Sequence, residues 1–160
     1  MSRKLQSLII IIATIIFGAY VISDNCIFCK IINGQSQADF IYEDDDLVCF
    51  KDINPASDHH YLIIPKKHII NAKELKLEDE PLYDKMVETV EVVVAQQGLN
   101  LSSTRTGFHW PPFNTVNHLH LHVIYPIENM SFIKKQMFKP NSYWFVGTDY
   151  VKSRFKSLKE

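Results

Sequence analysis

The segment His118-Leu119-His120-Leu121-His122-Val123-Ile124 constrains this chain more than any other. Imidazole and apolar side chains alternate along it, and on a strand residues two apart share a face. The three imidazoles therefore line one side, about 6–7 Å apart. Leu119, Leu121 and Val123 turn to the other side, which must be the core. A sheet face carrying three histidines in strict alternation is not built for packing. Two chemistries want several imidazoles together: a metal site, since neutral imidazole suits zinc, copper or iron, and nucleophilic catalysis, in which an imidazole nitrogen attacks phosphorus to give a covalent phosphoramidate. The strand alone leaves both open.

The remaining pattern is α+β. Phe40-Ile41-Tyr42 and Leu47-Val48-Cys49-Phe50 read as strands joined by the acidic turn Glu43–Asp46, with Cys49 as core. Tyr61-Leu62-Ile63-Ile64, Ser103 to Phe108, Leu119 to Tyr125 and Trp144-Phe145-Val146 add β-rich runs. Leu82, Met86, Val90, Val93 and Val94 recur at helical spacing, so the span Leu75 to Gln97 contains the one long helix, with Gly98 at its C-cap. Thr148 caps a short basic amphipathic helix to Leu158. The expectation is a mostly antiparallel sheet of about five strands with the long helix packed on one face.

The first residues differ from the rest. Leu8 to Ile22 is an uncharged apolar run preceded by Arg3 and Lys4; counted from Leu5 to Ser23 it approaches the roughly twenty residues that cross a bilayer as a helix. It reads as a signal anchor, a cleaved signal peptide, or a buried or membrane-surface helix. The chain thus divides into an N-terminal anchor or signal segment over 1–24 and a single domain over 25–160. As an anchor, residues 5–23 would make this a single-pass membrane protein. Positive charge ahead of the run favours a cytoplasmic N-terminus, but the charge excess is small, so the side of the domain stays open. Seventeen Lys+Arg against eighteen Asp+Glu give a net charge of −1, so bulk electrostatics gives no support for a nucleic-acid partner.

A second histidine cluster decides between the two chemistries. His59-His60-Tyr61-Leu62-Ile63-Ile64-Pro65-Lys66-Lys67-His68 sets a histidine before one strand and a basic pair after it. With Cys26-Ile27-Phe28-Cys29-Lys30-Ile31, Phe50-Lys51-Asp52-Ile53-Asn54-Pro55 and the triad segment, the chain resembles the histidine-triad superfamily, in particular the Hint branch of nucleotide phosphoramidases. All seven positions obey the family's His-φ-His-φ-His-φ-φ pattern, φ being apolar. The tail Asn141-Ser142-Tyr143-Trp144-Phe145 resembles that of the third Hint subtype.

The resemblance implies a hydrolase that cleaves the P–N bond of (adenosine) nucleoside 5′-monophosphoramidates. His120 would be the nucleophile, His122 the phosphate contact, His60 a partner in the network and His118 the residue that orients the site. Asp52 would bind the ribose hydroxyls and Ile53 the base. Thr115 would relay a proton to the departing amine. Asn114 stands in for an amide near the nucleotide, although the family's usual Gly-Gln-Ser is here Phe113-Asn114-Thr115. The chemistry itself requires no cofactor, because imidazoles and backbone N–H groups can meet the phosphate charge. The family is typically homodimeric, and Trp144 and Phe145 are candidate core or dimer contacts. Cys26-X-X-Cys29 has zinc-ligand spacing; some relatives bind zinc there with residues matching His68 and a triad histidine. Two packed apolar cysteines or a disulfide are the alternatives. His109 reads as an exposed loop histidine. The competing functions are another activity of the superfamily, such as adenylate removal or dinucleoside polyphosphate cleavage, and a membrane-anchored nucleotide- or metal-binding module without turnover.

Overall fold

A computed structural model describes residues 25–159, and the apolar segment over 1–24 lies outside the described residues. Among the described residues no helix is long and apolar enough to cross a membrane. Six strands form one antiparallel sheet: β1 (Phe40–Glu43), β2 (Leu47–Lys51), β3 (His59–Pro65), β4 (Arg105–His109), β5 (Leu121–Tyr125) and β6 (Phe145–Val146). Their spatial order is β1-β2-β3-β5-β4-β6, one strand more than the expected five or so. The helices are α1 (Ile27–Ile32), α2 (Glu80–Gln96), α3 (Phe132–Met137) and α4 (Thr148–Ser157).

Period-two alternation splits the sheet into two faces. Leu47, Cys49, Tyr61, Ile63, Leu121 and Val123 point to one side and bury Tyr83, Met86, Val90, Val93 and Val94 of α2, together with Val151 and Phe155 of α4. Each such aliphatic side chain contributes about 1.5–3 kcal/mol by leaving water. Val48, Phe50, Leu62 and Ile64 point the other way, against Phe28 and Ile31 of α1. The sheet is therefore covered on both faces. Only the second face leaves a gap, and the histidines stand in it.

Three boundaries differ from the pattern, while the long helix falls inside the span read for it: it begins at Glu80 because 3-10 turns at Ala72–Glu74 and Leu77–Asp79 precede it and the Asp79 carboxylate accepts from the Lys76 N–H. Its first turn carries Pro81, which needs no N–H partner there. β4 starts at Arg105 and runs through His109. α4 is preceded by Gly147 rather than capped by the Thr148 side chain. β5 begins at Leu121, so His118 and His120 precede the ladder instead of lying on it. In the continued register Leu119 would face Pro65, which has no N–H to exchange. Leu119 donates instead to the Ile69 carbonyl at 2.6 Å.

Candidate active site

Strand alternation places His60 on β3 and His122 on β5, one register step apart, since His122 pairs with Leu62. His120 follows from the segment that enters β5. All three rings are buried; His120 and His122 line a cleft of about 850 Å³ whose walls also include Phe28, Asp52, Ile53 and Thr115, and His60 stands behind His122. The His120 and His122 ring centroids are 4.9 Å apart.

The hydrogen bonds fix where each imidazole carries its proton. The Ala56 backbone N–H donates to His60 Nδ1 at 3.1 Å, so the His60 proton sits on Nε2. That N–H points to His122 Nδ1 at 2.9 Å, which must accept, and the His122 proton therefore sits on its own Nε2. His122 Nε2 is the buried side-chain nitrogen that lacks a partner among the described residues. It is a donor with no acceptor, at the wall of a cleft. His120 is set the opposite way: its Nδ1–H donates to the His118 carbonyl at 2.5 Å, leaving the lone pair on Nε2. His118 donates from Nε2 to the Pro65 carbonyl at 2.8 Å. A lone-pair nitrogen and an N–H donor thus stand side by side, which suits attack on a phosphorus whose oxygen needs a hydrogen bond.

Burial keeps these rings neutral. It pushes His60 down to about 4, against the pull of the Asp52 carboxylate, whose Oδ2 lies 3.6 Å from His60 Nδ1. It pushes His118 to about 4 despite the Pro65 carbonyl. His120 is lowered, and His122 is held well below the usual imidazole range, by burial first and then by the neighbouring imidazoles.

Behind the cleft lies a second cluster. Cys26 Sγ is 3.3 Å and Cys29 Sγ 3.5 Å from His118 Nδ1, and Cys29 Sγ is 3.2 Å from His68 Nδ1. The four candidate ligand atoms all lie within 4.8 Å of one another. A tetrahedral Cys2His2 zinc site separates neighbouring ligand atoms by about 3.3–3.8 Å, so the residues fit the ion. The His118 tautomer fits as well, because its Nδ1 lone pair faces the sulfurs.

Five of the eight expected catalytic and nucleotide residues line the cleft: Asp52, Ile53, Thr115, His120 and His122. Ile53, 92% exposed, stands at the mouth. His60 and His118 lie behind His122 and His120. Asn114 departs from expectation. Its amide is turned into its own loop, donating to Asn117 Oδ1 at 2.8 Å, and it borders a small crevice behind His120 instead of the cleft. His109 is a correction in the other direction. It ends β4, half-buried, with its ring 5.0 Å from that of His122 and its Nδ1–H donating to the Trp144 carbonyl. Its position two residues beyond Gly107, which pairs with His122, is the signal that would have found it.

Comparison with known proteins agrees with this geometry. The family model described as "Scavenger mRNA decapping enzyme C-term binding" matches residues 25–138. An adenosine 5′-monophosphoramidase of Xenopus tropicalis is 44% identical over 127 residues, covering 78% of this chain and 83% of the relative. The chain belongs to the histidine-triad family. A second relative in the family, an adenosine 5′-monophosphoramidase of Mus musculus, is 39% identical over 82% of each chain. Among solved structures, a histidine-triad family hydrolase from Clostridium thermocellum superposes with a TM-score of 0.62 at 34% identity, over 64% of this chain and 91% of that one. The stretch matched by the family model, residues 25–138, includes the cleft-lining residues and the Cys/His cluster.

Proposed function

We propose that this protein is a nucleotide-binding hydrolase that cleaves the P–N bond of adenosine 5′-monophosphoramidates and releases AMP and an amine. The observation that carries the proposal is the unmet His122 Nε2–H beside the His120 lone pair. A buried donor without a partner costs about 1–3 kcal/mol, and a bound phosphoryl oxygen recovers it. The activity named for the Xenopus and mouse relatives supports the choice of substrate.

His120 Nε2 attacks the α-phosphorus and forms a P–N bond to the ring. The bond to the amine breaks, its electron pair leaves with the amine nitrogen, and that nitrogen takes the Thr115 hydroxyl proton at the cleft wall, which solvent replaces and which the later attacking water returns to solvent. His122 Nε2–H holds a phosphoryl oxygen throughout, and His60 keeps that proton in place. Asp52 receives the ribose hydroxyls and Ile53 covers the base. Water then displaces His120 and frees AMP. Cys26, Cys29, His68 and His118 would hold a zinc ion as a closed structural site, and every bond-making step is assigned to other groups. Self-association as a homodimer belongs to the proposal through the family resemblance. A single-pass anchor through residues 5–23 belongs to it through the apolar run, with the side of the membrane left to a protease-protection test on a C-terminal tag.

The test is turnover of adenosine 5′-phosphoramidate by the full chain beside His120→Ala. The wild type should release AMP with an initial burst of nucleotidyl-enzyme. The variant should form neither while still binding AMP. AMP binding by a wild type that never turns over would make the protein a nucleotide-binding module.

A further inference from the structure

The nucleophile sits on a segment that the sheet does not hold. The β3–β5 ladder ends at the Ile63–Leu121 pair and the β4–β5 ladder at Gly107–His122. His118, Leu119 and His120 lie beyond both. Three other contacts fix them. The Leu119 N–H donates to the Ile69 carbonyl, the His118 ring donates to the Pro65 carbonyl, and the other side of that ring faces Cys26 and Cys29. The His118 carbonyl in turn holds the Nδ1–H of His120 and so sets the direction of its ring. Phe28, two residues into the chain after Cys26, lays its ring against both His118, at 6.0 Å between centroids, and His120, at 5.4 Å.

The cluster has the donor set of a closed cation site. The His118 Nδ1 lone pair faces two sulfurs at once, and Cys29 faces His68 Nδ1 as well. Thiol protons can serve these contacts only pairwise, Cys26 with His118 and Cys29 with His68, whereas a divalent ion between two thiolates and two imidazole nitrogens engages all four ligand atoms at once. We infer that Cys26, Cys29 and His68 are positioning residues for the nucleophile. With His118 they clamp a divalent cation, the clamp fixes the His118 carbonyl, and the cation and a nucleotide at His120 therefore sense each other. This inference rests on the reading of His120 as the nucleophile. It assigns the cluster a role in catalysis without placing it in contact with substrate.

The experiment loads the full chain with cobalt(II), whose visible ligand-field bands report its ligand geometry, and titrates AMP. In the wild type, AMP should shift the bands, and AMP should change cobalt affinity by the same factor as cobalt changes AMP affinity, because such coupling is reciprocal. In His120→Ala, which lacks the Nδ1–H, AMP should bind without moving the bands. His68→Ala should slow formation of nucleotidyl-His120 by roughly 10–100-fold, the usual effect of weakening a metal shell, and should move AMP affinity no further than that of the metal-free wild type. His68→Cys, which offers a Cys3His ligand set, should restore the rate, and this separates positioning from a loss of fold. The inference is overturned if cobalt does not bind at the cluster, if AMP binds and leaves the bands unmoved, or if His68→Ala is nucleotidylated at the wild-type rate. Failure of the wild type to form nucleotidyl-enzyme would instead strike the proposed function itself.

Discussion

Acid should weaken this fold through His60 by an amount the structure specifies. An unfolded histidine takes up its proton near pH 6.5, whereas burial holds the folded ring at about 4. Between those values the unfolded chain binds the proton and the folded chain does not, so stability falls as the pH drops. There is no loss above pH 6.5; the loss accumulates from 6.5 to 4 and is flat below. Moving from pH 7 to pH 4.5 costs about 2 kcal/mol, a large share of the ~5–15 kcal/mol that holds a typical domain together. The Asp52 carboxylate opposes the effect, and Lys134, His109 and His120 reinforce it. Equilibrium urea unfolding of the wild type and His60→Gln at both pH values reads the contribution of His60 together with its coupling to the neighbouring imidazoles. The wild type should lose about 2 kcal/mol more than the variant. Equal losses, within about 0.5 kcal/mol, would refute the assignment of His60 as a buried neutral ring.

Three further outcomes follow from the same contacts. Asp52→Asn should raise KM for adenosine 5′-phosphoramidate by about tenfold, as expected for a lost charged hydrogen bond, and leave the 2′,3′-dideoxy substrate unaffected; equal effects on both would remove Asp52 from the ribose site. Thr115→Val should lower kcat roughly tenfold for alkylamine leaving groups and leave acidic aniline leaving groups nearly unchanged, and a uniform drop would mean that Thr115 does not relay the proton. Gly107→Ala would place a Cβ 2.5 Å from the Val146 carbonyl and 2.6 Å from the Phe145 ring, so it should cost about 1–3 kcal/mol of stability by overpacking; an unchanged melting temperature would show that β6 yields freely.

What could be read from the sequence was whatever repeats often enough to show a period. Alternation along β2, β3 and β5 identifies their inward faces, and the spacing from Leu82 to Val94 identifies α2. The helices α1 and α3 span only six residues each and β6 only two, too short for a period to emerge. The site divides the same way. His120, His122 and Asp52 stand in motifs, and the cleft contains all three. His109 reads as a loop residue because Trp110-Pro111-Pro112 follows it, while what makes it part of the site is its pairing with Phe145, thirty-six positions away. Asn114 reads as a nucleotide ligand until Asn117 is seen to hold its amide. Proton positions were beyond reach altogether, since they depend on which carbonyl or amide meets each ring.

The amide that begins the imidazole chain belongs to the backbone of Ala56. Side-chain donors can be deleted by many single substitutions, but a main-chain N–H is lost only to proline. Position 56 can therefore vary in side chain, within the space available, without reversing the polarity of the His60–His122 relay. A library saturating positions 56, 60 and 122 should show that asymmetry: broad tolerance of small residues at 56, with proline singled out, against narrow tolerance at the two histidines. The orientation of the catalytic dipole is in that sense written into the chain's path, one level below its side-chain alphabet.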